Sequence, residues 1–246
     1  MREAPLIWLE PGDPFPPVTC AWGADTAMPG LLAAGGTLDA AHLHSAYQRG
    51  IFPWFSPGQP HLWWSPDPRM VLQTADFRLH PSLRKTLRKF ARMPGCEVRI
   101  DHDFRRVMAE CAHKTREGQN GTWIVPSIID AYGALHDRGL AHSVETWVDG
   151  RLVGGLYCVA LGQAVYGESM FAHATDASKV ALAALVGLCR TQGAPQIDCQ
   201  QATSHLASLG AREMPRADFL VRAQQAQQQP AMRWVWDNLY WQALGL

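Results

Sequence analysis

The sequence predicts an α+β fold, and three observations predict it. Residues 142–171 read as an antiparallel meander broken by two tight-turn signals. A helical stretch over about 176–192 leads from the meander into one more short strand over 195–200. The helical patterns before the meander are grouped together and do not alternate one by one with strands. The 246 residues suffice for one large domain or for a small domain beside a medium one.

The first 70 residues or so are rich in Pro, Gly and Trp. Pro11, Pro14, Pro16, Pro17 and Pro29 predict no long regular element there. One helix stands out, from Ala40 to Arg49, with Thr37 or Asp39 as N-cap and Gly50 as the stop. Ile51–Phe55 and Leu62–Arg69 read as loops dense in aromatics. A basic amphipathic helix is predicted over Ser82–Arg92, with Leu83, Leu87 and Phe90 on one face. Further helices are predicted over Phe104–Thr115 and Ser127–Arg138, the latter ended by Gly139. The meander follows as His142–Val148, Leu152–Leu161 and Ala164–Phe171, turning at Asp149-Gly150 and Gly162-Gln163. After the 176–192 helix and the 195–200 strand come a short helix over Thr203–Leu209 and a glutamine-rich helical stretch, Pro215–Gln229. The tail Trp234–Trp241 is expected to pack back on the body.

The 47% apolar and 18% charged fractions belong to an ordinary globular protein and exclude a disordered chain. Formal net charge is zero. Any RNA contact must therefore come from a local patch. The six cysteines show no C-x-x-C pair and read as reduced, buried thiols. The segment Met1–Pro5 lacks the layout of a signal peptide. The longest apolar run, Val180–Cys189, is too short to span a bilayer and reads as a buried helix. A cytoplasmic protein is expected.

Four segments could carry chemistry, and each also has a purely structural reading. Tyr47–Phe55 and Trp63–Arg69 supply aromatics, Tyr47 and Trp54 among them, that fit a small core or a surface stacking on an unpaired base. Gly121-Thr122-Trp123-Ile124 means little alone. In Tyr166–Phe171, Glu168 is a carboxylate among apolar residues, either paired and structural or facing a site. Ser169 lies outside any G-x-S-x-G elbow. In Ile197–Gln200, strand alternation puts Asp198 and Gln200 on one face and Cys199 on the other. The structural alternative is an end-of-strand Asp making a turn bond. His42, His44 and Asp101-His102-Asp103 match no zinc spacing. Arg84, Lys85, Arg88, Lys89 and Arg92 crowd one helix and form either a solvated face or a phosphate-binding patch.

Together these segments resemble the leucyl/phenylalanyl-tRNA–protein transferase family. The stretches that carry the resemblance are Gly30–Gly36, Tyr47–Phe55, Trp63–Arg69, Gly121–Ile124, Gly167–Phe171, Asp198–Gln200 and His205–Ala211, in order along the chain. The resemblance implies a small N-terminal domain (residues 1–70) and a larger GNAT-like acyltransferase domain (residues 71–246). A GNAT-type sheet is also compatible with the element order.

The resemblance further implies transfer of Leu or Phe, and Met less well, from aminoacyl-tRNA to the N-terminal Arg or Lys of an acceptor protein. The product would be an N-degron for protein degradation. No cofactor, metal or membrane is expected. Asp198, Gln200 and Glu168 would be catalytic. Tyr47, Trp54, Trp123, Leu156, Val165, Ser169 and Met170 would hold the aminoacyl-adenosine, and Arg84, Lys85, Arg88 and Lys89 the tRNA. Leu156 and Val165 depart from the Met and aromatic expected there. The main alternative is a GNAT enzyme using acetyl-CoA, against which stands the lack of glycine in Phe171–Thr175 before the 176–192 helix. A non-catalytic module binding tRNA ends or glycans would leave the two carboxylates and Gln200 without a task.

Overall fold

The computed structural model describes residues 5–113 and 123–246. The expectations for Met1–Ala4, for the end of the 104–115 helix, and for Gly121 and Thr122 lie outside the described residues. In chain order the elements are β1 (Trp8–Leu9), β2 (Leu31–Gly35), α1 (Ala40–Gln48), β3 (Phe52–Pro53), β4 (Leu62–Trp64), β5 (Arg69–Gln73), α2 (Pro81–Phe90), β6 (Cys96–Ile100), α3 (Phe104–His113), α4 (Pro126–His136), β7 (Ala141–Val148), β8 (Arg151–Leu161), β9 (Ala164–Ala172), α5 (Ala177–Gln192), β10 (Gln196–Asp198), α6 (Ser204–Ser208), β11 (Arg212–Met214) and α7 (Arg216–Gln227). The fold is α+β.

Local chemistry accounts for the predicted elements. Asp39 accepts from the His42 amide and caps α1, and Gly50 takes the left-handed φ of 69° that ends it. Asp149 and Gly150 both have positive φ, 49° and 72°, as a two-residue type I′ hairpin requires. Gly162 turns β8 into β9. Pro81 and Pro126 sit at helix starts, where a missing N–H costs nothing.

The segments read as aromatic loops in fact contain short strands. Leu62–Trp64 pairs with Leu31–Gly35 inside a four-stranded sheet ordered β1-β2-β4-β3. Arg69–Gln73 joins the large sheet. The proline signals that hid these strands lie between them or at their ends, where proline is tolerated. Strands β6 and β11 were also unforeseen. The large sheet is ordered β11-β5-β10-β9-β8-β7-β6, and only the β9–β10 pair is parallel. That pair is joined by the crossover helix α5.

Two apolar clusters cover the faces of this sheet. One gathers α1, α3 and α4 with Tyr157, Tyr166 and Phe171. The other gathers α2 and α5 with Leu156 and Val165. In α5 every residue from Val180 to Cys189 is buried, so the long apolar run is a central helix. The tail does fold back: Trp241 and Leu244 are buried beside α5, while Arg84 and Arg190 donate to the Gly245 and Ala243 carbonyls. Of the cysteines, Cys111, Cys158 and Cys189 are buried and in no disulfide, but Cys20 is exposed. Among the described residues no helix is long and apolar enough to cross a membrane.

Candidate active site

The parallel strands β9 and β10 pair only at Ile197↔Val165 and Asp198↔Tyr166. Strand β10 then stops, whereas β9 runs on to Ala172. A cavity of about 470 Å³ opens where they part. Gly167–Met170 of β9 and Cys199–Gln201 form two of its walls. Leu156 and Tyr157 of β8, Leu182 and Leu185 of α5, and Leu206 of α6 line it as well. Phe52, Pro53, Trp54 and Trp123 complete it. One portion is aliphatic; polar groups and indole rings occupy the rest.

Glu168 owes its place to a β-bulge. Tyr157 pairs with Ser169 and Cys158 with Gly167, so Glu168 has no cross-strand partner. A bulge re-aims its side chain and resets the alternation beyond it. Met170 therefore packs with the α5 side and Phe171 with the α4 side. Tyr132 Oη donates to Glu168 Oε2 at 3.2 Å, and Gln200 Nε2 donates to Oε1 at 3.2 Å. Behind them Tyr47 Oη lies 2.5 Å from Tyr132 Oη. Burial pushes the Glu168 carboxyl up to about 8, and Asp198 adds to this; the Tyr47 and Tyr132 hydroxyls and Arg69 act the other way. Glu168 keeps some exposure, through the cavity it lines. It is the one carboxylate lining that cavity among the described residues. Burial, and then Glu168, raise both tyrosines well above their ordinary value.

Asp198 and Gln200 do not share a strand face. Strand β10 ends at Asp198, and Gln200 takes a left-handed φ of 56°. Cys199 and Gln200 both reach the cavity, whereas Asp198 does not line it. Period-2 alternation fails here because it assumes extended backbone. Asp198, 1% exposed, is clamped instead by Arg69, which is fully buried. Arg69 Nε donates to Oδ1 at 2.8 Å and Nη2 to Oδ2 at 2.6 Å. The Gln200 amide also donates to Oδ1, at 2.9 Å. Burial raises the Cys199 thiol to about 12, with Asp198 contributing.

The remaining residues singled out in the sequence divide in two. Trp54, Trp123, Leu156, Ser169 and Met170 line the cavity. Val165 and Tyr47 do not. Val165 is buried toward α5, one strand-step deeper, and Tyr47 is fully buried behind Tyr132. Unforeseen wall residues are Leu182, Leu185, Ser178, Thr203 and His205. Leu182 and Leu185 carried a usable signal, their i,i+3 spacing on a helix between two candidate strands. Lys85, Arg88 and Lys89 are exposed together on α2, but Arg84 is only partly exposed and is spent on the Gly245 carbonyl.

The start of α5 is unsuited to pyrophosphate. Its N-cap, Asp176, places a carboxylate there, bonded to Lys179 Nζ at 2.7 Å and to Thr86 Oγ1 at 3.3 Å. The helix N-terminus thus already has a carboxylate beside it, itself paired with Lys179, where an anion would otherwise be favoured. Elsewhere, Asp101, His136 and His142 bring potential ligand atoms within 4.8 Å of one another. Those atoms are engaged: His142 Nδ1 with Asp101 Oδ2 at 2.7 Å, and His136 Nδ1 with the Ala141 carbonyl at 2.8 Å.

Comparison with known proteins adds to this geometry. Residues 71–224 match the family model described as leucyl/phenylalanyl-tRNA protein transferase, and residues 36–67 match that of its N-terminal domain. A leucyl/phenylalanyl-tRNA–protein transferase of Albidiferax ferrireducens is 60% identical over 245 residues, covering 99% of this chain and 96% of the relative. One from Polaromonas sp. is 58% identical over 240 residues, covering 98% and 94%. Among solved structures, a GCN5-related N-acetyltransferase from Kribbella flavida aligns with a TM-score of 0.36 at 10% identity, covering 70% of this chain and 59% of that one.

Proposed function

We propose, since the chain belongs to the leucyl/phenylalanyl-tRNA–protein transferase family, that its cavity joins an aminoacyl-tRNA to the N-terminal amine of an acceptor protein. The chain is an aminoacyltransferase. The donors are Leu-tRNA and Phe-tRNA, with Met-tRNA poorer, and the acceptors carry N-terminal Arg or Lys. The product serves as an N-degron, and the reaction takes place in the cytoplasm.

The donor's side chain enters the aliphatic portion of the cavity, between Leu156, Met170, Leu182, Leu185 and Leu206. A slot of this kind excludes a charged side chain, whose desolvation nothing there offsets. It separates Leu, Phe and Met by only about 1–3 kcal/mol. The terminal adenine stacks on Trp54 and Trp123, the indoles on the cavity wall. Lys85, Arg88 and Lys89 hold phosphates of the tRNA body.

The observation that carries this reading is Glu168. Its carboxyl sits near 8, and an α-ammonium group titrates at about 7.7–8.0, so proton transfer between them is close to balanced. Glu168 takes the proton as the amine attacks the ester carbonyl. A C–N bond forms and the C–O bond to the ribose breaks. The proton passes to the ribose oxygen as it leaves. Gln200 holds the Glu168 carboxylate from one side and Tyr132 from the other, with Tyr47 behind. When ionised, the same carboxylate favours the cationic side chain of an N-terminal Arg or Lys. The donor is already an activated ester, so orientation contributes most of the rate.

Incubation with radiolabelled Phe-tRNA and a peptide bearing N-terminal Arg tests the proposal. Label should enter the free peptide and stay out of its N-acetylated twin. Equal labelling of both, or labelling from acetyl-CoA in place of Phe-tRNA, would exclude it.

A further inference from the structure

We propose that Arg69 is a positioning residue for the transfer reaction, acting through Asp198 on Gln200, and that Asp198 itself exchanges no proton with substrate. This rests on the transfer chemistry proposed above. Arg69 uses three donors on two separate segments. Nε and Nη2 grip Asp198 in a fork, and Nη1 donates to the Gly50 carbonyl at 3.1 Å. Its guanidinium carbon lies over two rings, 4.9 Å from the Phe52 centroid and 4.7 Å from that of Phe219. A planar fork that makes three hydrogen bonds and two ring contacts has little freedom to tilt. The carboxylate it grips is correspondingly fixed.

What that carboxylate does next is visible in the backbone. Gln200 is a non-glycine residue at φ 56°, in the left-handed region that residues with a side chain rarely adopt. Two bonds hold it there: its amide donates to Asp198 Oδ1, and its carbonyl accepts from the Met70 amide at 3.2 Å. Met70 is the neighbour of Arg69 in the chain. Arg69 thus secures the turn from both sides, through Asp198 and through the strand it opens. The turn aims Gln200 Nε2 at Glu168 Oε1. Without it the cavity carboxylate would keep only its tyrosine contacts.

A buried ion pair is weak evidence for stability, because apolar residues of equal volume often do as well. Stability alone therefore leaves the fork, the ring contacts and the left-handed turn unconnected. Positioning connects them. The pair also lies between the parts that build the cavity, since Phe52 and its neighbours Pro53 and Trp54 line one wall and Gln200 another. Asp198 already accepts three hydrogen bonds, two from Arg69 and one from the Gln200 amide, and it does not line the cavity where a proton would be exchanged.

A double-mutant cycle tests this, reading kcat and KM for Phe-tRNA and for an N-terminal Arg peptide, with thermal melts as a fold check. Lysine keeps the charge of Arg69 and loses the fork. Arg69→Lys should lower kcat about 10- to 100-fold and leave KM for Phe-tRNA within about threefold. In a Gln200→Ala background the same change should lower kcat by less than about threefold, since the group it positions is gone. Asp198→Asn keeps an acceptor for the Gln200 amide. It should lose no more than about tenfold in kcat and retain the wild-type pH profile. Equal losses from Arg69→Lys in both backgrounds would overturn the proposal. So would a loss at Asp198→Asn above about a hundredfold with the pH dependence abolished, the mark of a proton acceptor. Should Arg69→Lys fail to fold, Asp198→Asn in the wild-type and Gln200→Ala backgrounds supplies the same cycle, and equal losses in both would overturn the proposal. A wild-type protein that transfers nothing from Phe-tRNA would instead defeat the function on which the cycle depends.

Discussion

Replacing Glu168 with Gln removes one titratable group from the cavity and changes little else. Glutamine matches the neutral carboxyl in size. It can still accept from Gln200 Nε2 through its Oε1 and contact Tyr132 Oη through its amide. If ionised Glu168 is the working form, its share at each pH follows from a midpoint near 8. About one molecule in ten is ionised at pH 7 and about one in a hundred at pH 6. A hydrogen bond to a charged group contributes about 1.5–3 kcal/mol, a factor of about 10–150. The ratio of kcat/KM, wild type over Glu168→Gln, should therefore plateau at about 10–150 above pH 8.5. It should fall about tenfold per unit below pH 8. Taking the ratio cancels the titration of the acceptor's own amine, which is the same for both proteins. The assay is initial-rate transfer of radiolabelled Phe to an N-terminal Arg peptide from pH 6 to 9. A ratio that stays flat across this range would show that Glu168 is not the proton acceptor.

Four further outcomes follow from the same site. Tyr132→Phe removes a donor that lowers the proton affinity of Glu168, so the midpoint of that ratio should move above 8. Folding stability should carry the same signature. The folded protein favours neutral Glu168, so this stabilisation is complete below the ordinary value of 4.5 and is lost as pH rises through about 8. Melts from pH 6 to 9 should accordingly show the wild type losing stability relative to Glu168→Gln, and parallel curves would contradict the burial account. Lys85→Glu, Arg88→Glu and Lys89→Glu together should weaken tRNA binding and flatten its salt dependence while sparing a minimal aminoacyl-adenosine donor; an unchanged salt slope assigns α2 to a solvated face. Cys199→Ala should keep substantial activity, since a thiol held up to about 12 supplies no thiolate at neutral pH, and a trapped thioester would refute direct aminolysis.

The sequence by itself determined what depends on neighbours in the chain. Asp39 and Gly50 bound α1 wherever it packs, Asp149-Gly150 makes a hairpin of β7 and β8, and the apolar run 180–189 must be buried. Its motifs also carried the family resemblance, because runs such as Trp63–Arg69 are rich in rare residues. Tertiary structure decided what depends on distant partners or on a break in local rules. The short strands 31–35 and 62–64 exist through each other, across a proline-rich interval. Leu182 and Leu185 became wall residues because β9 and β10 part, and Val165 became core because it lies where they still pair. Glu168 reached the cavity through a bulge, and Gln200 through a left-handed turn. Both events interrupt the period of two from which a face is read, and neither leaves a mark in a single sequence. Asp198 looked catalytic on its strand. Its partner Arg69 stands 129 residues away, and only folding brings that guanidinium within 2.6 Å to occupy the carboxylate.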